Sequence, residues 1–256
     1  MCASVVLAGL ALGVSVVPSS SGLVELRGST HSAVTATLNS APATRLAVPR
    51  ASLTTASYAF SALLDGRPVR WNPCAPIRWT ANTAHGPVGG LVVLKAAVAK
   101  VAAATGTSWQ FVGATTKVPT SSYLPVGAAS SYPPVLIGWT DGVRSDLLRG
   151  KAKSVLGMTR TVWFGVQTPD GRKVAATRTA VVALDRTDAL PLRGGPSWSA
   201  VALHELGHAM GLAHARDTRQ LMASVLPRAA TDWQPGDRAG LMKLGRSAGC
   251  VSVPAL

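Results

Sequence analysis

Residues 204–214 read His204-Glu205-Leu206-Gly207-His208-Ala209-Met210-Gly211-Leu212-Ala213-His214, the spacing H-E-x-x-H-x-x-G-x-x-H. Positions i and i+4 of a helix share a face, so His204 and His208 present two imidazoles to one ion. Gly211 can take the left-handed conformation that ends a helix and turns the chain, which returns His214 to the same ion. Three neutral nitrogen ligands leave a fourth tetrahedral position open for water, the mark of a catalytic zinc site. Glu205 follows the first ligand and reaches that water as a base. The chemistry this implies is hydrolysis by a zinc-bound water that Glu205 activates, then a proton handed to the leaving group. The plain structural alternative is a pair of satisfied helix histidines. It fails on economy, because three of the five histidines in the chain fall in this one stretch. Gly207 and Gly211 point the same way. Each weakens a helix by up to about 1 kcal/mol relative to alanine, which a purely structural helix would gain nothing from.

The elements that must position these residues alternate along the chain. The motif helix runs from about Ser197 to Met210, and a last helix follows Pro235-Gly236-Asp237 to about Leu244, with Gly245 past its end. Gly89 to Thr105 is the clearest helix, with Leu91, Leu94, Val98 and Val101 on one stripe and Gly106 as its stop. Ile77–Thr80, Trp109–Val112 and Val135–Trp139 read as short strands, the last apolar enough to be central. Val155–Gln167 and Lys173–Leu184 flank Thr168-Pro169-Asp170-Gly171 and form a hairpin. This order predicts a mixed sheet, a parallel core with one antiparallel strand, in an α+β arrangement.

Composition bounds the rest. Of 256 residues, 47% are hydrophobic and only 14% are charged, with 25 Lys and Arg against 11 Asp and Glu, a net charge of +14. Basic residues are scattered with no run of five, so no nucleic-acid footprint is localised. Weak association with anionic cell-wall polymers or membrane surfaces is the most this charge implies, and a monomer is expected. Residues 3–17 are an unbroken apolar and small-residue run. It is short for a membrane span and matches the hydrophobic region of a secretory signal peptide, with a membrane anchor or buried helix as the alternative. The chain therefore divides into 1–20, a signal peptide or hydrophobic segment; 21–65, a Ser/Thr/Ala/Pro-rich linker or propeptide with little regular structure; and 66–256, the catalytic domain. Cys2 would leave with a signal peptide. Cys74 and Cys250 remain, an even pair that reads as a disulfide in a secreted protein.

The eleven-residue signature, the downstream Leu221-Met222-Ala223-Ser224 and the element order together resemble the metzincin clan of zinc endopeptidases, and within it the matrixins in a compact bacterial secreted form. The resemblance covers about residues 66–250. It implies a zincin fold: a twisted five-stranded mixed sheet with one antiparallel edge strand above the active-site helix, and a C-terminal helix. It implies one catalytic zinc and a protein or peptide substrate lying extended along that edge strand, against part of Val155 to Phe164. It also makes Met222 the methionine of the Met-turn, the hydrophobic floor beneath the metal. The segment Met222 to Pro235 would wall the pocket beside the zinc, with Arg228 at its rim. Departures narrow the picture. Ala223-Ser224 replace the usual Tyr-Pro, so no Met-turn tyrosine reaches the zinc. A Pro-Arg-Cys-Gly switch is missing, and Cys74 sits in Asn72-Pro73-Cys74-Ala75-Pro76. Outside the signature only His31 and His85 remain, so a second histidine-built zinc is not expected, and the scattered acidic residues give calcium no support. Two other functions fit the same scaffold: a non-catalytic wall or surface binding protein, and a zinc amidase acting on peptidoglycan peptides.

Overall fold

The structure is a computed structural model that describes residues 15–18, 24–35, 57–125, 131–168, 170–229 and 231–253. Cys2, most of the apolar run 3–17 and residues 36–56 lie outside the described residues. No helix among the described residues is long and apolar enough to cross a membrane.

The elements follow as β1 (Ser15–Pro18), β2 (Val24–Thr35), β3 (Ala59–Phe60), β4 (Leu63–Leu64), β5 (Arg67–Pro68), β6 (Ile77–Asn82), α1 (Gly90–Thr105), β7 (Trp109–Ala114), β8 (Val135–Thr140), β9 (Val155–Gln167), β10 (Lys173–Asp185), α2 (Trp198–Met210), β11 (Leu212–Ala213) and α3 (Pro235–Leu244). Five strands form the expected mixed sheet in the order β7-β6-β8-β10-β9. The pairs β6–β7, β6–β8 and β8–β10 are parallel, whereas β9 runs antiparallel to β10. Each parallel pair needs a crossover, and α1 supplies the one between β6 and β7. All six residues of β8 are buried, because layers cover both faces of this central strand.

One face carries the main core. Ile137, Val182 and Leu184 of the sheet meet Leu94, Val98 and Val101 of α1 and Leu203, Leu206 and Met210 of α2. Full burial of each large side chain stabilises by about 1.5–3 kcal/mol. The alternate residues, Leu136, Val181 and Ala183, point to the other face and pack under Leu124 from the β7–β8 connection and Leu147 and Leu148 from the β8–β9 connection. Gly106 ends α1 at φ 66°, with its N–H on the Ala102 carbonyl.

Three features differ from the sequence reading. The stretch 21–65, expected to hold little regular structure, contains the twelve-residue strand β2, which pairs antiparallel along the whole of β9. With β1 added, the sheet has seven strands, so β9 is the outer strand of the domain's five but not of the whole sheet. The packed unit also begins ahead of residue 66, since β3 pairs with β11 just beyond the motif helix. The reason is local: a two-residue strand carries no periodic pattern to read. Cys74 and Cys250 form a disulfide with their Cα atoms 5.5 Å apart. It ties the entry of β6 to the tail after α3, a loop closure of about 5 kcal/mol in the chain-entropy model.

Candidate metal centre

The site is built on α2. Ser197 caps the helix, its hydroxyl accepting from the Ala200 N–H. Every residue from Ala200 to Met210 is buried, including His204, Glu205 and His208 at 0, 0 and 1% exposure. Charged and polar groups so deep need partners or an ion. Gly211 ends the helix at φ 115°, a conformation that favours glycine. The chain then passes through β11, held by β3, and brings back His214, which is half-buried.

His204, His208 and His214 are the one group of three or more metal-ligating side chains that converges among the described residues, with ligand atoms within 4.8 Å of one another. Nδ1 of His204 lies 2.6 Å from the Leu221 carbonyl, and Nδ1 of His208 lies 2.8 Å from the Leu212 carbonyl. A carbonyl only accepts, so both Nδ1 atoms carry the proton, and both Nε2 atoms are bare lone pairs. Those lone pairs point at one place: His204 Nε2 is 3.0 Å from His208 Nε2, which is 3.2 Å from His214 Nε2. Facing lone pairs at that distance repel unless a cation lies between them. Tetrahedral zinc with bonds of about 2.0–2.1 Å sets neighbouring nitrogens about 3.3 Å apart. The donor set therefore fits zinc. Burial pushes the His204 imidazole down to about 3, and His208 well below the ordinary 6.5, so both are neutral ligands at physiological pH.

Met222 is fully buried and packs against α2 at Gly207. A Cβ added at Gly207 would run into its sulfur, so the glycine is the clearance that lets the methionine in. The Met222 segment is held from three sides. Its carbonyl accepts from the Ala215 N–H beside His214, and the Leu221 carbonyl holds His204. Asp237 accepts the backbone N–H groups of Leu221 and Met222. Asp237 sits at the third position of α3 in a capping box with Gln234. Gln220 closes the circuit, accepting from the Gly236 and Asp237 N–H groups while donating to Asp217. Asp217 also takes Arg219, which holds its carboxyl well below the usual range.

Glu205 lies on the sheet side of α2. The Thr159 hydroxyl of β9 donates to Glu205 Oε2 at 2.6 Å. A Cβ at Gly157 would stand 2.8 Å from Glu205 Cγ, so β9 needs a glycine there. Sequence reasoning missed Thr159, Gly157, Gln220 and the role of Asp237, because each acts from a distant element with no spacing signal. A cavity of about 630 Å³ opens beside His214, lined by Ala215, Arg216, Thr218 and Ala223–Pro227. Arg228 was expected at its rim. Arg216 is among the residues that line it and Arg228 is not. The reason is that the chain from His214 turns back beside Ala223, as the Ala215–Ala223 bridge shows.

A five-stranded mixed sheet over a helix with three converging imidazoles and a buried carboxylate is consistent with a metzincin fold. Residues 138–244 match the matrixin family of M10 peptidases, and over that span the protein is matrixin-like. That family is one of zinc metallopeptidases acting on peptides. No curated protein matches the chain.

Proposed function

We propose that this protein is an exported zinc-dependent endopeptidase in which Glu205 is the catalytic base. The observation that supports it most is the placement of one buried carboxylate and three converging imidazole nitrogens on α2 and its return strand. His204, His208 and His214 would hold the ion, with Met222 as the floor under them. Zinc bound there supplies Lewis acidity, lowering the pKa of water towards about 7 and polarising a carbonyl oxygen. Glu205 takes a proton from the attacking water and passes it to the leaving amine nitrogen. The Thr159 hydroxyl fixes Oε2 and so sets the direction of the carboxylate. Deep burial of α2 shields His204, Glu205 and His208 from bulk water, while the site is open on the His214 side. An extended peptide would lie along β9, the strand that touches Glu205, on the edge that β2 pairs with in this structure. The Cys74–Cys250 disulfide and the apolar run 3–17 support export.

The test is hydrolysis of a mixed peptide library by the zinc-loaded chain. Glu205→Ala is expected to slow it by about 100-fold or more, with zinc content unchanged. Hydrolysis that survives in Glu205→Ala at the original rate rejects the mechanism. A zinc-loaded chain that cleaves no peptide rejects the peptidase and leaves the amidase and binding-protein readings.

A further inference from the structure

We infer, resting on the peptidase reading of the same site, that the cavity beside His214 selects an acidic side chain close to the scissile bond and that Arg216 recognises it. The cavity, of about 630 Å³, shares His214 with the metal centre and sets Arg216, Thr218 and Ser224 beside the apolar Val225, Leu226 and Pro227. Arg216 is the one Lys, Arg, Asp or Glu in that lining. It is exposed, and its guanidinium forms no ion pair or hydrogen bond with any described residue. The carboxylate next to it in the chain is engaged elsewhere, since both oxygens of Asp217 are taken by Arg219 and Gln220. A guanidinium carries five donors and no acceptor, and its planar fork matches a carboxylate in two parallel hydrogen bonds. An apolar wall with one such group at its side fixes a ligand that has a methylene stem and a charged end, as glutamate has. The cavity adjoins a zinc ligand, and an extended substrate advances about 3.3 Å per residue, so the residue received lies within about two of the bond cleaved. The net charge of +14 also draws acidic peptides. Such steering acts on the whole peptide through every basic residue, whereas the cavity acts on one position through one arginine.

The test uses the full zinc-loaded chain and peptides capped at both ends, in which each position within three residues of the cleaved bond carries Glu, Gln or Lys in turn. A second set is left free at the C-terminus. Cleavage is compared, as kcat/KM, for the unaltered chain, Arg216→Gln, Arg216→Glu and Arg228→Gln, the last an arginine outside the cavity. The unaltered chain is expected to favour Glu over Gln by about tenfold at one position and by less than about twofold at the others. Arg216→Gln should bring that ratio close to one, Arg216→Glu should turn the preference to Lys, and Arg228→Gln should keep the ratio. Each ratio is taken within one variant, so a loss of folded protein cancels from it. The same peptides are titrated onto zinc-loaded Glu205→Ala, with and without Arg216→Gln, which reads recognition without cleavage. A ratio near one at every position overturns the inference, as does a preference that survives Arg216→Gln or that appears only with a free C-terminal carboxylate. A chain that cleaves no peptide yet binds the Glu series through Arg216 upholds the acid-selective cavity and rejects the peptidase. A chain that neither cleaves nor binds overturns both.

Discussion

α1 and α2 are neighbours in one layer, and each ends at a glycine in the left-handed region, yet they carry opposite loads. α1 buries one face and leaves Val92, Lys95, Ala96 and Ala99 exposed. α2 is buried nearly all round and holds two histidines and a glutamate at zero or near-zero exposure. A helix like α1 needs only its apolar stripe. A helix like α2 must place every buried polar atom, so parts of β9, the Met222 segment and α3 are fitted to it. Thr159 meets Glu205, the Leu221 carbonyl meets His204, and Asp237 secures Leu221 and Met222 from behind. The contrast separates a helix that supports the fold from one around which the fold is arranged.

That contrast can be broken first at the ligands. His208→Ala is expected to lower zinc affinity by more than about 100-fold, the upper end for losing an outer hydrogen-bond partner of a ligand. Lys95→Ala in α1 should leave it unchanged, and competition against a zinc-binding dye reads both. A smaller effect sharpens the packing difference. Ala96→Gly on exposed α1 should cost about 1 kcal/mol by helix propensity. Gly207→Ala in α2 adds the favoured helix former, yet is expected to cost about 1–3 kcal/mol, because its Cβ meets the Met222 sulfur. Urea unfolding midpoints of the two variants measure this. The opposite outcome at Gly207, stabilisation, would mean that Met222 is free to move.

The smallest effect lies in the network behind the Met222 segment. Arg219 holds the Asp217 carboxyl below its ordinary 3.8 in the folded chain. The unfolded chain therefore takes up this proton first on acidification. Stability from this group is fully present above about pH 4 and drains as pH falls further. Asp217→Asn should reduce the loss of stability between pH 5 and 3 by a fraction of a kcal/mol, read from urea midpoints across that range.

Much of the centre was legible because its parts lie close in sequence. The spacing of His204 and His208, the turn at Gly211 and the return of His214 are consequences of one helix and its exit. Met222 was legible only through family resemblance, and Gly207 was legible as a helix weakness whose cause, the methionine sulfur, was not. The hairpin β9–β10 was read with nearly the right bounds because it carries turn residues between two long apolar runs. β2 was not, since Val24–Thr35 mixes Gly, Ser and Thr with few apolar residues, and its strand character comes from the edge it pairs with.

The sequence by itself determined the three histidines that converge, the glutamate beside the first of them, the helix that carries this pair and the order of the sheet elements. All of these follow from local period, capping and spacing. Only the tertiary structure decided what surrounds them: Thr159 on Glu205, Asp237 behind Met222, Arg216 at the cavity in place of Arg228, and β2 along β9. Those are contacts between elements far apart in the chain. Side-chain reach and main-chain pairing in space set them, and neither leaves a period in the sequence.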